Sequence, residues 1–142
     1  MIQAAGARLA TREDIPEIER MMRETGFPEL LVEGEPWRDA FGDIQFLLAP
    51  GVLIVCTANE DDSVRVHVAV EEGARGAYAV GVVRDAIRKA FQGTNTKRID
   101  GLTPPWHRAA QRFNAMVGMH AVGMEDGMIR YEARRDQWLL TP

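Results

Sequence analysis

The chain has a single cysteine, Cys56, so no disulfide can close within it, and that usage fits a reducing compartment. Cys56 sits in an apolar run and reads as a small buried hydrophobe rather than a nucleophile. Long hydrophobic runs are missing too. The longest, GVLIVC at 51–56, is far too short to span a bilayer, and the opening MIQAAGARLA lacks the consecutive apolar residues of a signal peptide. There is no basic excess: 17 Lys and Arg against 21 Asp and Glu leave a net charge of −4. That balance argues against nonspecific nucleic-acid binding, and nothing points to a membrane partner. The arginines of RRDQW near the C-terminus read as a solvated strand end. The three histidines share no metal-like spacing with the cysteine, and the run Asn59-Glu60-Asp61-Asp62 reads as a solvated turn, so no metal is expected.

What is present is ordinary for a globular protein: 142 residues, 46% hydrophobic and 27% charged, with no repeat, low-complexity tract or linker. Residues 1–142 are therefore read as one domain, soluble and cytoplasmic. ARLA at 7–10 is a short extended piece, and Thr11 offers a helix N-cap with Glu13 and Asp14 in the first turn. Ile15, Ile18, Met21 and Met22 give that helix an apolar face, and Gly26-Phe27-Pro28 ends it. Trp37, Phe41, Ile44 and Leu48 are spaced for a second helix, although IQFLL equally fits a strand.

GVLIVCTA at 51–58 reads as a strand buried on both faces. VRVHVAV then alternates, placing Val64, Val66, Val68 and Val70 on one side and Arg65, His67 and Ala69 on the other. A glycine-marked turn follows, then a helix striped by Val80, Val83, Ile87 and Phe91 that stops at Gly93. KRIDGL at 97–102 is a further strand. Pro104 and Pro105 open a helix whose inner side is Ala109, Ala110, Phe113, Met116 and Val117. Trp106 reads as the packing anchor of that helix, an exposed recognition residue being the other reading. The tail forms a hairpin across Glu125-Asp126-Gly127, with His120 a structural residue leading into it. Met116, Met119, Met124 and Met128 fill core or mark a subunit interface. The order is β-α-α-β-β-α-β-α-β-β, an α/β (α+β) layout.

VAVEEGARGAYAVGVVRDAI at 68–87 runs strand, turn, helix. That arrangement makes an anion site, because the first turn of a helix has backbone N–H groups without intrahelical partners. RLATREDIPEIERMM, this segment, and RIDGLTPPWHRAAQRFNAMVGMHAVG together resemble the GNAT superfamily of acetyl-CoA-dependent N-acetyltransferases over nearly the whole chain. The resemblance implies a mixed β-sheet splayed at its middle and flanked by helices. Acetyl-CoA would lie in the gap, the backbone of Val68, Ala69 and Val70 pairing with its pantetheine arm. The turn of Arg75, Gly76, Ala77, Tyr78 and Ala79 would cradle its diphosphate.

The match is imperfect at the loop. In one register Gly73 and Gly76 fit but Tyr78 takes the last small position; in the other Arg75 leads, and Tyr78 and Val80 stand where small residues belong. The resemblance also aligns His107 with an asparagine at the helix start, and Asn114 with a tyrosine that serves as acid. An amide has no proton to give at a useful pKa. His67 and His107 are the candidate catalytic groups, since imidazole titrates near neutrality. Trp37 lies where the resemblance places the acceptor region. Two functions follow. One is acetyl transfer from acetyl-CoA to a small-molecule amine or a protein amino group. The other is a non-catalytic GNAT-fold protein acting through homo-oligomer or virion contacts, since RGAYA and PPWHRAAQRF are also similar to bacteriophage-encoded GNAT-like proteins.

Overall fold

The computed structural model describes residues 6–25, 44–59 and 61–139. In chain order its elements are β1 (Arg8–Leu9), α1 (Ile15–Thr25), β2 (Ile44–Ala49), β3 (Val52–Ala58), β4 (Ser63–Val70) and α2 (Ala77–Gly93), followed by β5 (Arg98–Thr103), α3 (Arg108–Met116), β6 (His120–Glu125), β7 (Met128–Arg134) and α4 (Arg135–Trp138). The seven strands form one sheet in the order β1-β2-β3-β4-β5-β7-β6. β4 and β5 run parallel, joined by the α2 crossover; every other neighbouring pair is antiparallel.

The period-two alternation of the strands separates two faces. Ile18, Met21 and Met22 of α1 pack on Phe46, Leu48, Leu53, Val55 and Ala69. On the other face Val82, Val83, Ile87 and Phe91 of α2 pack on Val52, Ile54, Ile99, Tyr131 and Ala133, with Val66 and Val68 alongside. β3 is thus buried on both sides, as its unbroken apolar run requires, and the two sides of β4 fall as the alternation predicts.

Three assignments differ from expectation. Residues 44–49 are a strand, not the end of a second helix: a turn at Pro50-Gly51 folds IQFLLA onto β3, with Phe46 opposite Val55 and Leu48 opposite Leu53. The expected positions 26–28, Trp37 and Phe41 lie outside the described residues. The helix expected to open at the two prolines begins at Arg108, because His107 caps it. It contributes no fully buried residue; Met116 is exposed, and Val117 and Met119 just beyond it reach the core. RRDQW is not a solvated strand end but carries the short α4, which buries Trp138. Its indole N–H donates to the Val117 carbonyl at 3.0 Å, and the Arg84 and Arg88 guanidinium groups lie 5.1 and 5.6 Å from its ring centre.

On the α1 side, the sheet beyond β4 is charged. Asp100, 2% exposed, accepts from Arg65 Nε at 2.8 Å, with Arg130 Nη2 at 3.5 Å and Arg98 Nε at 3.7 Å. Arg65 reaches Glu125 at 2.7 Å, and Arg130 and Arg134 reach Glu132 at 3.3 and 3.4 Å. Removing one member of a buried charge set strands the others, so Asp100→Ala is expected to cost about 3–5 kcal/mol in urea unfolding; an unchanged midpoint would contradict the network. Hydrogen bonding from Arg65 holds the Glu125 carboxyl below its usual 4.5. A depressed folded value adds stability that is complete above the unfolded value and is lost as pH falls through the folded one. The acid limb below about pH 4.5 should therefore flatten in Glu125→Gln, as read by the melting temperature against pH.

Candidate functional site

β4 and β5 pair at only three positions, Ser63–Arg98, Val64–Ile99 and Arg65–Asp100. Beyond these the strands part. A Cβ at Gly101 would lie 3.1 Å from the Val66 carbonyl oxygen, so the backbones still approach closely one residue past the last pair. β4 continues along β3 to Val70, and β5 along β7 to Thr103. Carried forward, the register sets Val68 level with Thr103 across the opening. Residues of Val66–Val70 whose N–H and C=O do not point at β3 turn them into it.

The glycine-marked turn stands at the end of this opening. Glu72–Ala74 form a 3-10 turn seated on the β2–β3 turn: Glu71 N–H donates to the Gly51 carbonyl at 2.8 Å, and a Cβ at Gly51 would fall 2.5 Å from Ala74 Cβ. Gly76 precedes α2 at φ 105° and ψ −150°, a conformation reserved for glycine, and no side chain caps the helix. A Cβ at Gly76 would meet no atom within 4 Å, so space lies open in front of the helix N-terminus. Arg75, Gly76, Ala77 and Tyr78 are exposed and Ala79 is buried.

The intrusion expected of Tyr78 is absent. Its hydroxyl donates to the Pro50 carbonyl at 2.8 Å, on the β3 side of β4, and so braces the ring away from the β5 side where the strands part. Against the α1 side of the same turn lies a cavity of about 340 Å³ whose lining includes Glu24, Glu71, Glu72 and Arg75. Arg20 offsets part of this negative charge, pairing with Glu24 and Glu71 at 2.6 Å each and also with Glu17.

The two candidate histidines are not brought together. His67, half-buried in β4 opposite Val55, follows Arg65 on the α1 side, two residues past the last β4–β5 pair. His107 is exposed and acts as a cap: Nδ1 accepts from the Ala110 N–H at 3.3 Å, and the ring stacks on Trp106 at 5.4 Å between centres. Trp106 is 77% exposed, which corrects its reading as a packing anchor. Asn114 Nδ2 donates to Thr103 Oγ at 2.8 Å, a partnership that sequence reading missed because the residues lie on different elements. Burial pushes the Cys56 thiol up to about 11, in keeping with an inert side chain. Among the described residues no group of three or more His, Cys, Asp or Glu could hold a metal ion, and no helix is long and apolar enough to cross a membrane.

No family model matches the chain, and no curated protein matches it. Solved structures do. A chimera of the spermidine N-acetyltransferase SpeG from Vibrio cholerae with hSSAT superposes at a TM-score of 0.75 and 14% identity, covering 94% of this chain and 98% of that one. SpeG from Vibrio cholerae with manganese ions superposes at 0.71 and 15% identity, covering 94% of each chain. The fold is that of the GNAT superfamily. The mixed sheet flanked by helices, splayed between β4 and β5, thus agrees with the architecture that the resemblance implied. These GNAT structures lend no support to a bacteriophage origin or a virion location. The φ of Gly76 makes a local prediction: Gly76→Ala meets no steric clash, yet should cost about 1–3 kcal/mol from backbone strain alone. Urea unfolding checks it, and full retention of stability would show that the turn is wrongly described.

Proposed function

We propose that this chain is a soluble, cytoplasmic, single-domain N-acetyltransferase that moves an acetyl group from acetyl-CoA to a small-molecule amine. One coincidence carries the reading: the β4–β5 opening ends at an uncapped helix N-terminus with open space before it. Backbone groups of Val68, Ala69 and Val70 would hold the pantetheine arm. The N–H groups around Gly76, Ala77, Tyr78 and Ala79 suit a diphosphate, and Arg75 adds a cation to the turn just before them. The braced Tyr78 removes the main steric objection to that fit. Acetyl-CoA, when bound, supplies the acetyl group as an activated thioester.

An amine attacks only in its neutral form, so the chain must take a proton from a cationic acceptor. We assign this to His67, and its position on the α1 side of β4, two residues past the last β4–β5 pair, supports the assignment. The glutamates of the adjacent cavity favour a cation on that same side. SpeG is a spermidine N-acetyltransferase, and a polyamine is the first acceptor to try.

Thermal-shift titration tests the reading, since a ligand that binds only the native state must raise the melting temperature. Acetyl-CoA at millimolar concentration should raise it, and release of free thiol should follow addition of spermidine or a simpler amine. No shift would remove the reading. A shift without turnover on any amine would mean a retained pocket without the chemistry. His67→Ala should lower kcat by about 10²–10⁴-fold while keeping the acetyl-CoA shift; an unchanged kcat would take His67 out of the mechanism.

A further inference from the structure

Breaking a thioester leaves a thiolate, and the polar groups beside the opening on the α2 side determine how it is received. Thr103, the last residue of β5, alternates with Ile99 and so faces that side. It is 6% exposed and stands level with Val68 across the gap. Its oxygen accepts the Asn114 amide N–H from α3 at 2.8 Å. A hydroxyl that accepts from one neighbour directs its own hydrogen elsewhere. Around it β4 offers Val66 and Val68, and β7 offers Ile129 opposite Thr103.

We propose that Thr103 Oγ–H donates a hydrogen bond to the departing sulfur, with Asn114 as the positioning residue that sets the hydroxyl's direction. The inference rests on the acetyl-transfer reading. In the transfer a C–N bond forms, the C–S bond breaks with its electron pair on sulfur, and the amine's proton ends on sulfur or in solvent. An alkyl thiol ionises at about 8.5, so its thiolate leaves near neutral pH with a hydrogen bond and no acid. Asn114 therefore does not stand in for a missing acid; it belongs to a site that needs none. The titratable side chains facing this side from the elements around Thr103 include Cys56 of β3, Tyr131 of β7, Tyr78, Arg84, Asp85, Arg88 and Lys89 of α2, and His107 before α3; Tyr78 is tied to Pro50, His107 to Ala110, and Asp85 to Lys89.

Binding separates the possibilities without turnover. Calorimetry would compare coenzyme A with desulfo-coenzyme A, which lacks the sulfur, from about pH 7 to about pH 9, spanning thiol ionisation. In the native protein, affinity for coenzyme A should rise with pH relative to the desulfo compound. Asn114→Leu and Thr103→Val should lose that rise, and Thr103→Ser should keep it. In turnover, Asn114→Leu should lower kcat about tenfold with KM for acetyl-CoA nearly unchanged, as for loss of one donor to developing charge.

Equal pH dependence in the native protein and Asn114→Leu would overturn the proposal. So would a roughly tenfold or greater loss of kcat in Tyr131→Phe with Thr103→Val unaffected, since that would assign the role to a phenol. Failure of the native protein to bind either compound would instead sink the acetyl-transfer reading, and this inference with it.

Discussion

The structure depends on where β4 and β5 stop pairing. Asp100 is buried at the last pair, and a buried carboxylate is tolerated only with compensating charge; Arg65, Arg98 and Arg130 supply it. This clamps the first half of a parallel pair that would otherwise rest on three ladder positions. Past the clamp each strand keeps its other neighbour, β4 holding to β3 and β5 to β7, so divergence sacrifices pairing along one edge of each strand only. The opening is thus a consequence of three pairs held firmly, not of a sheet held loosely.

The same clamp divides the labour of the two faces. On the α2 side the centre of the sheet is apolar apart from Thr103, and the crossover helix returns its N-terminus to the end of the opening. On the α1 side it is apolar under α1 and charged beyond β4, where Arg65, Asp100 and Glu132 form one cross-strand row. A ligand on the α2 side meets amide N–H groups, whereas one on the α1 side meets His67 and the carboxylates around the cavity.

Legibility in the sequence followed the range of the interaction responsible. The alternation of VRVHVAV and the apolar run of GVLIVC are local, and both strands and their faces could be read directly. IQFLL could not, because a short apolar run fits either period and only its pairing with β3 settles it. The arginines of RRDQW read as a solvated strand end because the burial of Trp138 depends on α4 folding it under Arg84 and Arg88 of a distant helix. Tyr78 stands in the first turn of α2 rather than in the loop before it, and its direction depends on Pro50, 28 residues earlier. The charge network did leave a trace: Arg98 and Asp100, then Arg130, Glu132 and Arg134, alternate in opposite sign along two strands. That pattern is what a half-buried ionic ladder requires.

The acidic cavity beside a turn suited to a diphosphate looks like a contradiction, and the geometry resolves it. The carboxylates lie against α1, whereas the unpartnered N–H groups belong to α2 on the opposite face. Arg20 draws Glu24 and Glu71 toward α1 through paired contacts, and Arg75 contributes a cation to the turn itself. Screening over about 8–10 Å of solvent weakens what repulsion remains between exposed groups. On the acetyl-transfer reading the two fields then act as one sorting device. An anionic donor is drawn to the α2 side and a cationic acceptor to the α1 side, so each is disfavoured in the other's place. They meet where β4 and β5 part, because there alone in the described sheet does the backbone leave a passage between the faces.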